Sequence, residues 1–418
     1  MDIKSLYKLY SQNYLVDTDT RSSRKGSVFF ALKGENFNGN KFAKNAIEKG
    51  ASFAVIDEEK YQIKDKTFLV KNVLSTLQEL ATYHRRQLNC PIIALTGSNG
   101  KTTTKELINC VLSKKYITTA TIGNLNNHIG VPLTILSMTP NTEFGIVEMG
   151  ANHLNEISLL SKIAQPNFGY ITNFGKAHLE GFGSVEGVIK GKSELYNFLK
   201  KSKGKVFINS NDIIQIQQSK GIEQIKFNQN IEFITANPFV YIKFDNLTIQ
   251  SNLIGEYNFN NIAAAITIGN YFNIESSLIK EAIENYIPSD NRSQIIMKNS
   301  NKFILDAYNA NPSSMAVALK NLSKLNDESK VVFLGDMFEL GNQSKNEHQI
   351  IAKLAEDYNF NKLYLIGKAF STIKVKNAFL YDSYESFQNS FSSKEITNST
   401  ILIKGSRGMA LERILDLF

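Results

Sequence analysis

The chain has 418 residues, too many for one ordinary hydrophobic core, so two or three domains are expected. Hydrophobic residues make up 42% of the chain and charged residues 21%, as in soluble globular proteins, and no apolar run approaches the length that spans a membrane. The 47 basic and 39 acidic residues give a net charge of +8, which favours anionic partners, but the basic residues are scattered, which argues against nucleic acid.

The first segment, residues 1–90, has the pattern of a small α/β domain. Its strand-like and helix-like stretches are, in chain order, SVFFALKG (27–34), KFAKNAIEKG (41–50), ASFAVID (51–57), TFLVKN (67–72) and VLSTLQELATYHRRQL (73–88). The second and fifth of these have the apolar spacing of helices, whereas the others are short apolar runs typical of strands.

The second segment, residues 91–288, alternates short apolar runs with helical patterns. The apolar runs are IIALT (92–96), FGIVEM (144–149), FGYITN (168–173) and KVFINS (205–210). This alternation predicts a parallel sheet whose strands are joined by crossover helices. We expect the segment to end at the loop around Pro288.

The third segment, residues 289–418, repeats the alternation of strands and helices. Its strand-like runs are FILDA (303–307), VVFLGD (331–336), LYLIG (363–367) and TILIKG (400–405). The pattern is Rossmann-like. The sequence as a whole therefore predicts an α/β protein of three domains, with a central P-loop parallel-sheet domain and a C-terminal Rossmann-like domain.

The most informative motif is LTGSNGKTTTKE (95–106), in which a buried strand runs into a glycine-rich turn and then a helix-like stretch. Backbone N–H groups in such a turn can hold phosphate oxygens, and the N-terminus of the following helix favours the same anions. In this arrangement Lys101 faces the β- and γ-phosphates and the Thr102 hydroxyl reaches Mg²⁺. The predicted nucleotide contacts are Gly97, Ser98, Asn99, Gly100, Lys101, Thr102 and Thr103.

Two observations limit this interpretation of the motif. An ordinary Gly-Asn-Gly turn followed by a solvated lysine would have the same local sequence. In addition, Leu95 stands where the general P-loop motif has a glycine, so a match to GTPases or motor proteins is imperfect.

Glu148 and His178 follow two other predicted strands and are candidate metal ligands. Glu148 ends the run FGIVE, and His178 follows the run YITNF after a short turn. Residues just beyond the carboxyl ends of parallel strands line the ligand crevice of an open α/β sheet, on the same side as the P-loop. The alternatives are a helix-capping glutamate and a hydrogen-bonded loop histidine.

Beyond the loop, the chain resembles the Mur ligase family and its folylpolyglutamate synthase relatives. The shortened loop TGSNGKTT is followed by similar central-domain blocks, NLNNHIGVPLT (124–134), VEMGANHLNEI (147–157) and ITNFGKAHLEGFGSVEGVIKGKSELY (171–196). The blocks similar to the family's C-terminal ones are NRSQ (291–294), LDAYNANPSSM (305–315), FLGDMFELG (333–341) and KGSRGMALE (404–412). Between them, GEYNFNNIAAAI (255–266) resembles the family's G-x-H-N-x-x-N block, with Tyr257 in place of the usual histidine.

The resemblance implies an ATP-dependent, amide-forming ligase that activates a carboxylate as an acyl phosphate. It implies that Glu148 binds the Mg²⁺ shared with Thr102, and that His178 binds a second Mg²⁺ near the reacting carboxylate. Lys192 matches the family's lysine that reacts with CO₂ to form a carbamate, an anion able to bind Mg²⁺. Without the resemblance, Lys192 would be taken for a solvated charge on a helix. Lys101, His178 and Lys192 are the implied catalytic residues.

Further site residues are carried over from the family's remaining blocks. Asn258 and Asn261 match positions near the adenine, Arg292 and Asp306 match ATP contacts, and Lys404 and Arg407 are candidates to hold the carboxylate of the incoming dipeptide. Tyr308, Asn309 and Asn311 are candidates for dipeptide or nucleotide binding, although a turn-forming Asn-Ala-Asn-Pro is an equally good interpretation. Thr20, Arg21 and Asn38 lie in DTR (19–21) and NFNGN (36–40), which resemble the UDP-sugar-binding blocks but depart from the usual D-G-H.

Within the family, the blocks GANH-x-x-EI, AHLEGFGS, YNANP and KGSR resemble the branch that adds D-alanyl-D-alanine to UDP-N-acetylmuramoyl-tripeptide. The alternatives are a Mur ligase that adds a single amino acid, a folylpolyglutamate synthase, and a P-loop switch protein. A switch protein has no use for a second Mg²⁺ site, so the combination of Glu148, His178 and Lys192 argues against that class.

The cellular location and assembly state are also predicted. Cys90 and Cys110 are too few for a disulfide framework, and the N-terminus lacks the apolar core of a signal peptide. We therefore expect a cytoplasmic monomer that uses ATP and Mg²⁺, inserts into no membrane and binds no nucleic acid.

Overall fold

The first segment forms a small parallel sheet covered by helices. The computed structural model describes residues 2–227, 229–289 and 291–418. The elements of the first segment are α1 (Ile3–Tyr10), β1 (Val16–Asp17), β2 (Val28–Phe30), β3 (Lys33–Gly34), β4 (Phe37–Asn38), α2 (Ala43–Glu48), β5 (Phe53–Ile56), β6 (Thr67–Leu69) and α3 (Val73–Arg85). The sheet order is β1-β2-β5-β6, with parallel neighbours.

The predicted strand at 27–34 is wrong in its second half. Strand β2 ends at Phe30, and the chain then enters an antiparallel ribbon of β3 and β4. The turn is closed by the Gly39 N–H, which donates to the Leu32 carbonyl at 2.9 Å. A Cβ atom on Gly39 would lie 2.5 Å from that carbonyl oxygen, so only glycine allows the two backbones to approach this closely.

The second segment forms the predicted parallel sheet with crossover helices. The elements that build this sheet and its helices are β7 (Ile92–Thr96), α4 (Lys101–Leu112), β8 (Thr118–Ala120), α5 (Gly130–Leu136), β9 (Phe144–Glu148), α6 (Glu156–Ala164), β10 (Phe168–Ile171), α7 (Leu179–Phe182), α8 (Val185–Lys192), α9 (Glu194–Ser202), β11 (Lys205–Ile208), α10 (Ile213–Gln218) and β12 (Glu223–Lys226). The sheet order is β12-β11-β10-β7-β9-β8, with parallel neighbours.

A second, antiparallel sheet in this segment was not predicted. It consists of β13 (Ile231–Ala236), β14 (Phe239–Phe244) and β15 (Leu247–Ile254), followed by α11 (Asn258–Tyr271) and α12 (Ser276–Asn285). Alternate residues of β14 are buried, including Val240, Ile242 and Phe244, and they share a hydrophobic cluster with Ile262 and Ile266 of α11. This sheet therefore packs its apolar face against the helix that leads toward the third segment.

The third segment has the predicted Rossmann-like alternation, with one antiparallel strand added at the edge. Its elements are β16 (Gln294–Lys298), β17 (Asn301–Asp306), α13 (Pro312–Lys324), β18 (Lys330–Gly335), α14 (Ser344–Asp357), β19 (Lys362–Ile366), β20 (Phe379–Tyr381), α15 (Tyr384–Ser390) and β21 (Thr400–Lys404). The sheet order is β16-β17-β21-β18-β19-β20, in which only the β16–β17 pairing is antiparallel.

The α/β fold class is confirmed, whereas the domain bounds 1–90, 91–288 and 289–418 stay predictions. The carboxyl ends of β7, β9 and β10 lie at one edge of the central sheet, because Leu95 is in register with Glu148 and Thr96 with Ile171. The carboxyl ends of β17 and β21 face the same region. Within the described ranges, every helix is too short or too polar to cross a bilayer.

Candidate active site between the central and C-terminal sheets

A cavity of about 1040 Å³ lies between the strand ends of the central and third segments. That volume suits a nucleotide together with part of a second ligand. The residues predicted for the site that line it are Ser98, Asn99, Gly100, Lys101, Thr102, Thr103, Glu148, His178, Asn258, Asn261, Arg292, Asp306, Tyr308, Asn309, Asn311 and Lys404. The structure therefore brings together nearly all of the predicted nucleotide-site residues.

The turn between β7 and α4 has the shape of a phosphate loop. Gly97 and Gly100 have φ values of +147° and +78°, and a Cβ on Gly97 would lie 1.9 Å from the Thr172 hydroxyl oxygen. The Ser98 hydroxyl donates to the Gly175 carbonyl at 2.7 Å. These contacts fix the loop at the N-terminus of α4, where free N–H groups favour an anion.

Lys101 is the first residue of α4, and its side chain folds back onto the phosphate loop. Its Nζ donates to the Gly97 carbonyl at 2.7 Å. Burial lowers the pKa of Lys101, with the nearby Glu148 carboxylate opposing the shift and Arg292 adding to it. A phosphate group at the loop would favour the charged form of this amine.

Glu148 has an unsatisfied carboxylate oxygen that faces this region. The residue is 1% exposed, and its Oε1 accepts a hydrogen bond from Asn126 Nδ2 at 2.7 Å. Its Oε2 is buried and has no hydrogen-bond partner among the described residues. A buried, ionised oxygen without a partner is costly, and a cation would satisfy it. The helix-capping alternative for Glu148 is wrong, because its acceptor contacts are with a side chain and not with a helix terminus.

His178 both lines the cavity and is hydrogen-bonded. It sits at the start of α7 with φ +52°, and its Nδ1 is hydrogen-bonded to Oε2 of Glu339 from the third segment. That hydrogen bond is the main reason why the pKa of Glu339 lies below its ordinary value. The side chain of His178 is 17% exposed.

Lys192, the last residue of α8, is 0% exposed, so the expectation of a solvated charge at this position is wrong. Its Nζ donates to the Ala151 carbonyl at 3.0 Å and lies 5.2 Å from the centre of the Phe182 ring. Burial lowers its pKa well below the ordinary lysine value, and the positive charge of Lys101 lowers it further. Lys190, two residues earlier, is exposed.

The four predicted metal ligands are largely shielded from solvent. Thr102, Glu148 and Lys192 are buried, and Glu148, His178 and Lys192 each have a hydrogen-bond partner in the protein. In the part of the chain that the structure describes, no three His, Cys, Asp or Glu side chains form a ready-made metal site. The roles of all four residues as metal ligands stay predictions.

Asp306 and Lys404, predicted to bind different ligands, contact each other. Lys404 Nζ lies 2.6 Å from Asp306 Oδ2 and 3.1 Å from the Asn309 carbonyl oxygen. The two residues are register partners on the neighbouring parallel strands β17 and β21. A ligand at either residue therefore meets a side chain that is already ion-paired.

Arg292 and Tyr308 stack on each other where the third segment lines the cavity. The guanidinium carbon lies 3.5 Å from the centre of the Tyr308 ring, and Arg292 Nε is buried without a hydrogen-bond partner in the described residues. A stacked guanidinium with a free N–H is suited to an anionic oxygen or a ring of a nucleotide.

Asparagine side chains form hydrogen bonds that link α4 to α11 and the phosphate loop to the start of α13. Asn261 accepts from the Thr104 hydroxyl at 3.0 Å and donates to Asn258 Oδ1 at 2.8 Å. Asn311 accepts from the Ser314 N–H as the N-cap of α13, and its Nδ2 donates to Asn99 Oδ1 at 2.8 Å. Asn311 therefore caps a helix and does not form a simple turn, and the residue also lines the cavity.

The remaining predicted residues do not line this cavity. Gly97 lies in the phosphate loop and packs against Thr172. The Arg407 side chain is 60% exposed and paired with Glu412. Thr20, Arg21 and Asn38 lie in the first segment, where Arg21 pairs with Asp19 and Asn38 donates to Glu58. Their roles in substrate binding stay predictions.

Three site residues were missed by reasoning from the sequence. Asn126 holds Glu148, Asn173 exchanges hydrogen bonds with the backbone of Asn99, and Glu339 holds His178. Each lies within or beside a quoted block, but nothing in the sequence indicates which polar residue of a block contacts another.

Comparisons with known proteins match this organisation. Residues 13–89 match the model "Mur ligase family, catalytic domain", residues 95–269 the "Mur ligase middle domain", and residues 291–407 the "Mur ligase, glutamate ligase domain". The UDP-N-acetylmuramoyl-tripeptide--D-alanyl-D-alanine ligase of Bacillus subtilis is 32% identical, over 96% of this chain and 92% of the relative. The Escherichia coli ligase of the same name is 33% identical over the same shares.

Solved structures have the same architecture. A crystal structure of MurF from Acinetobacter baumannii superimposes with a TM-score of 0.83 at 28% identity, covering 96% of this chain and 92% of that one. MurF from Thermotoga maritima, solved in complex with ADP, gives a TM-score of 0.84 at 24% identity, covering 97% and 96%. The second likeness supports the fold alone.

Proposed function

This chain belongs to the Mur ligase family, and we propose that it joins D-alanyl-D-alanine to UDP-N-acetylmuramoyl-tripeptide in an ATP-dependent, ADP-forming reaction. The product is the pentapeptide precursor of peptidoglycan. One observation carries the proposal: the phosphate loop and the polar strand ends of the third segment meet at a single cavity. The expected acyl transfer needs both, because one binds the nucleotide and the other binds the amine.

ATP phosphates are held by the loop between β7 and α4. The N–H groups at the start of α4 donate to phosphate oxygens, and Lys101 supplies a cation beside them. Asn258 and Asn261 lie near the adenine, while Arg292 and Asp306 contact the rest of the nucleotide. Asn261 packs against the phosphate loop, since its side-chain oxygen would lie 2.8 Å from a Cβ on Gly100.

Thr102 and Glu148 hold one Mg²⁺, and His178 with the carbamate of Lys192 holds a second. The unpaired, buried Oε2 of Glu148 fits such an ion, because Mg²⁺ prefers oxygen ligands. When bound, Mg²⁺ offsets the repulsion between the tripeptide carboxylate and the γ-phosphate.

The environment of Lys192 supports a carbamate at this position. Only a neutral amine attacks CO₂, and the reaction forms an N–C bond and releases one proton. An ordinary lysine is almost wholly protonated at neutral pH, whereas burial lowers the pKa of Lys192 and makes the neutral amine available.

The reaction exchanges two bonds. A carboxylate oxygen of the tripeptide bonds to the γ-phosphorus and ADP leaves; the amine of D-alanyl-D-alanine then bonds to the acyl carbon, loses a proton and displaces phosphate. Water would destroy the acyl phosphate, so contacts that close the third segment over the loop protect it. Two such contacts are the hydrogen bond between Asn311 and Asn99, at 2.8 Å, and the ion pair of Lys176 with Glu347, at 2.7 Å.

Lys404 and Arg407 bind the dipeptide carboxylate. Lys404 is neutralised by Asp306 and Arg407 by Glu412, so binding exchanges these partners for the substrate. Thr20, Arg21 and Asn38 contact the UDP-sugar. We expect the protein to be a monomer and to lie in the cytoplasm, where ATP and the UDP-linked precursor are found.

The proposal is tested by measuring phosphate release. The protein is incubated with ATP, Mg²⁺ and UDP-N-acetylmuramoyl-tripeptide, with and without D-alanyl-D-alanine. Sustained phosphate release that requires both the tripeptide and the dipeptide is expected. Equal release without either substrate would instead support a P-loop switch protein.

A further inference from the structure

Two loops meet across the cavity between the central and third segments. The side chain of Glu339 is hydrogen-bonded to Nδ1 of His178, 161 residues away in the chain. The Glu339 carbonyl also accepts from the Glu180 N–H at 3.1 Å. Gly341 packs on the same loop, since a Cβ there would lie 3.4 Å from Glu180 Cα. Glu339 thus contacts the His178 loop through both its side chain and its backbone.

Both partners hold an unfavourable backbone conformation. His178 has φ +52° and Glu339 has φ +61°, the left-handed region that is unfavourable for a non-glycine residue. Glycine would occupy the position of Glu339 without that cost, as Gly341 does two residues later at φ +52°. The contribution of glutamate at this position is therefore its carboxylate.

The hydrogen bond decides which imidazole nitrogen carries a proton. An ionised carboxylate only accepts hydrogen bonds, so Nδ1 of His178 must be the donor. In the neutral imidazole, Nε2 then carries the lone pair, and His178 lines the cavity. A second partner that fixes the tautomer and the ring orientation of a functional histidine commonly supports its activity.

We propose that Glu339 is a positioning residue that presents Nε2 of His178 to the reacting groups only when the third segment closes over the central one. The role of His178 in this statement rests on the proposed function. The effect of Glu339 on the His178 tautomer does not, so the two are measured separately.

A second ion pair across the same interface provides a matched control. Lys176 Nζ lies 2.7 Å from Glu347 Oε1, and the Lys176 N–H donates to the Ser313 hydroxyl at 2.8 Å. Glu347 thus joins the same two segments without touching His178. Its substitution removes an ion pair from the same interface and leaves the carboxylate of Glu339 on the imidazole.

The tautomer is measured by NMR on the full chain labelled with ¹⁵N-histidine. The chain has five histidines, and the signal lost in His178→Gln assigns His178. The wild-type protein should show a proton on Nδ1 of His178. Glu339→Gly should give the mixture of tautomers found in free imidazole, whereas Glu347→Gln should leave the His178 signal unchanged.

Kinetics and melting complete the test. Glu339→Gly should lower kcat by about 10–100-fold with a smaller change in KM for ATP, the range typical for the loss of a partner behind a functional histidine. Its melting temperature should equal or exceed that of wild type, because glycine relieves the backbone strain. Glu339→Gln keeps an acceptor oxygen and should retain the Nδ1 proton and more of kcat.

Two results would overturn the positioning role. The first is a Glu339→Gly protein in which His178 keeps its Nδ1 proton, and the second is one with the altered tautomer and a wild-type kcat. If the glycine variant does not fold, Glu339→Asn tests the positioning role in the same way, because asparagine tolerates positive φ and its amide is too short to reach His178. A normal kcat in His178→Gln would instead contradict the role of His178 in the proposed function.

Discussion

At the scale of single residues, the burial of Lys192 and Glu148 is the feature that most needs an explanation. Lys192 has three potential N–H donors and one protein acceptor, the Ala151 carbonyl, among the described residues. Glu148 has a buried oxygen without a partner there. Both arrangements are unfavourable in the free protein, and both become favourable when the amine is carbamylated and the carboxylate binds a cation.

Lys192→Ala should therefore be nearly inactive, and acetate or formate should restore part of the turnover by filling the vacated space with a carboxylate. Steady-state assays with and without the added acid measure this. Lys190→Ala is the matched control, because Lys190 lies on the same helix and is exposed, and it should keep wild-type kcat. Normal turnover in Lys192→Ala would exclude the carbamate.

Glu148→Gln keeps the shape of the side chain and its contact with Asn126, and it removes a buried charge. Its melting temperature should not fall below that of wild type, whereas activity should fall by at least about 100-fold and recover partly at high Mg²⁺. Glu143→Gln, an exposed carboxylate just before the same strand, is the control. A large loss of stability with normal turnover per folded molecule would show that Glu148 is structural.

The residue scale also shows what the sequence could not predict. Asp306 and Lys404 were both predicted as site residues, but their ion pair depends on β21 lying between β17 and β18. The amino-acid sequence does not show which strands become neighbours in a sheet when crossover helices connect them. The burial of Lys192 was hidden for a related reason, since helical spacing does not reveal which neighbours cover each face.

At the scale of elements, the phosphate loop depends on the tight fit between Gly97 and Thr172. The inner strands β7, β9, β10 and β11 of its sheet were predicted because strands buried on both faces read as continuous hydrophobic stretches, whereas the less buried edge strands β8 and β12 were missed. The antiparallel strands β13–β15 were missed because they alternate and are partly exposed, which gives a weaker pattern. The strand ends that form the site were thus predictable, and the sheet that supports α11 was not.

Gly97→Ala should destabilise the protein by about 1–3 kcal/mol, because its Cβ would lie 1.9 Å from the Thr172 hydroxyl oxygen. Thermal melting measures the loss. Gly123→Ala is the control, since Gly123 also has positive φ and its Cβ would meet nothing within 4 Å. Equal losses in the two variants would mean that backbone strain, and not the close contact, limits position 97.

At the scale of the whole molecule, the proposed function predicts that activity requires the third segment to close over the phosphate loop. Asn311 joins the two by donating to Asn99 while its side-chain oxygen caps α13. Asn311→Ser keeps a good helix cap but is too short to reach Asn99. The variant should melt close to wild type and show a several-fold higher KM for ATP; an unchanged KM would indicate that this contact does not contribute to closure.

The central claim is the identity of the two substrates, and mass spectrometry of the reaction product tests it most directly. The protein is given ATP, Mg²⁺, D-alanyl-D-alanine and single amino acids, together with the UDP-N-acetylmuramoyl dipeptide and tripeptide. We predict that the tripeptide alone is consumed and that its mass rises by one D-alanyl-D-alanine unit less water, with one ADP formed for each product. Addition of a single amino acid to the dipeptide, with D-alanyl-D-alanine left unused, would contradict the account.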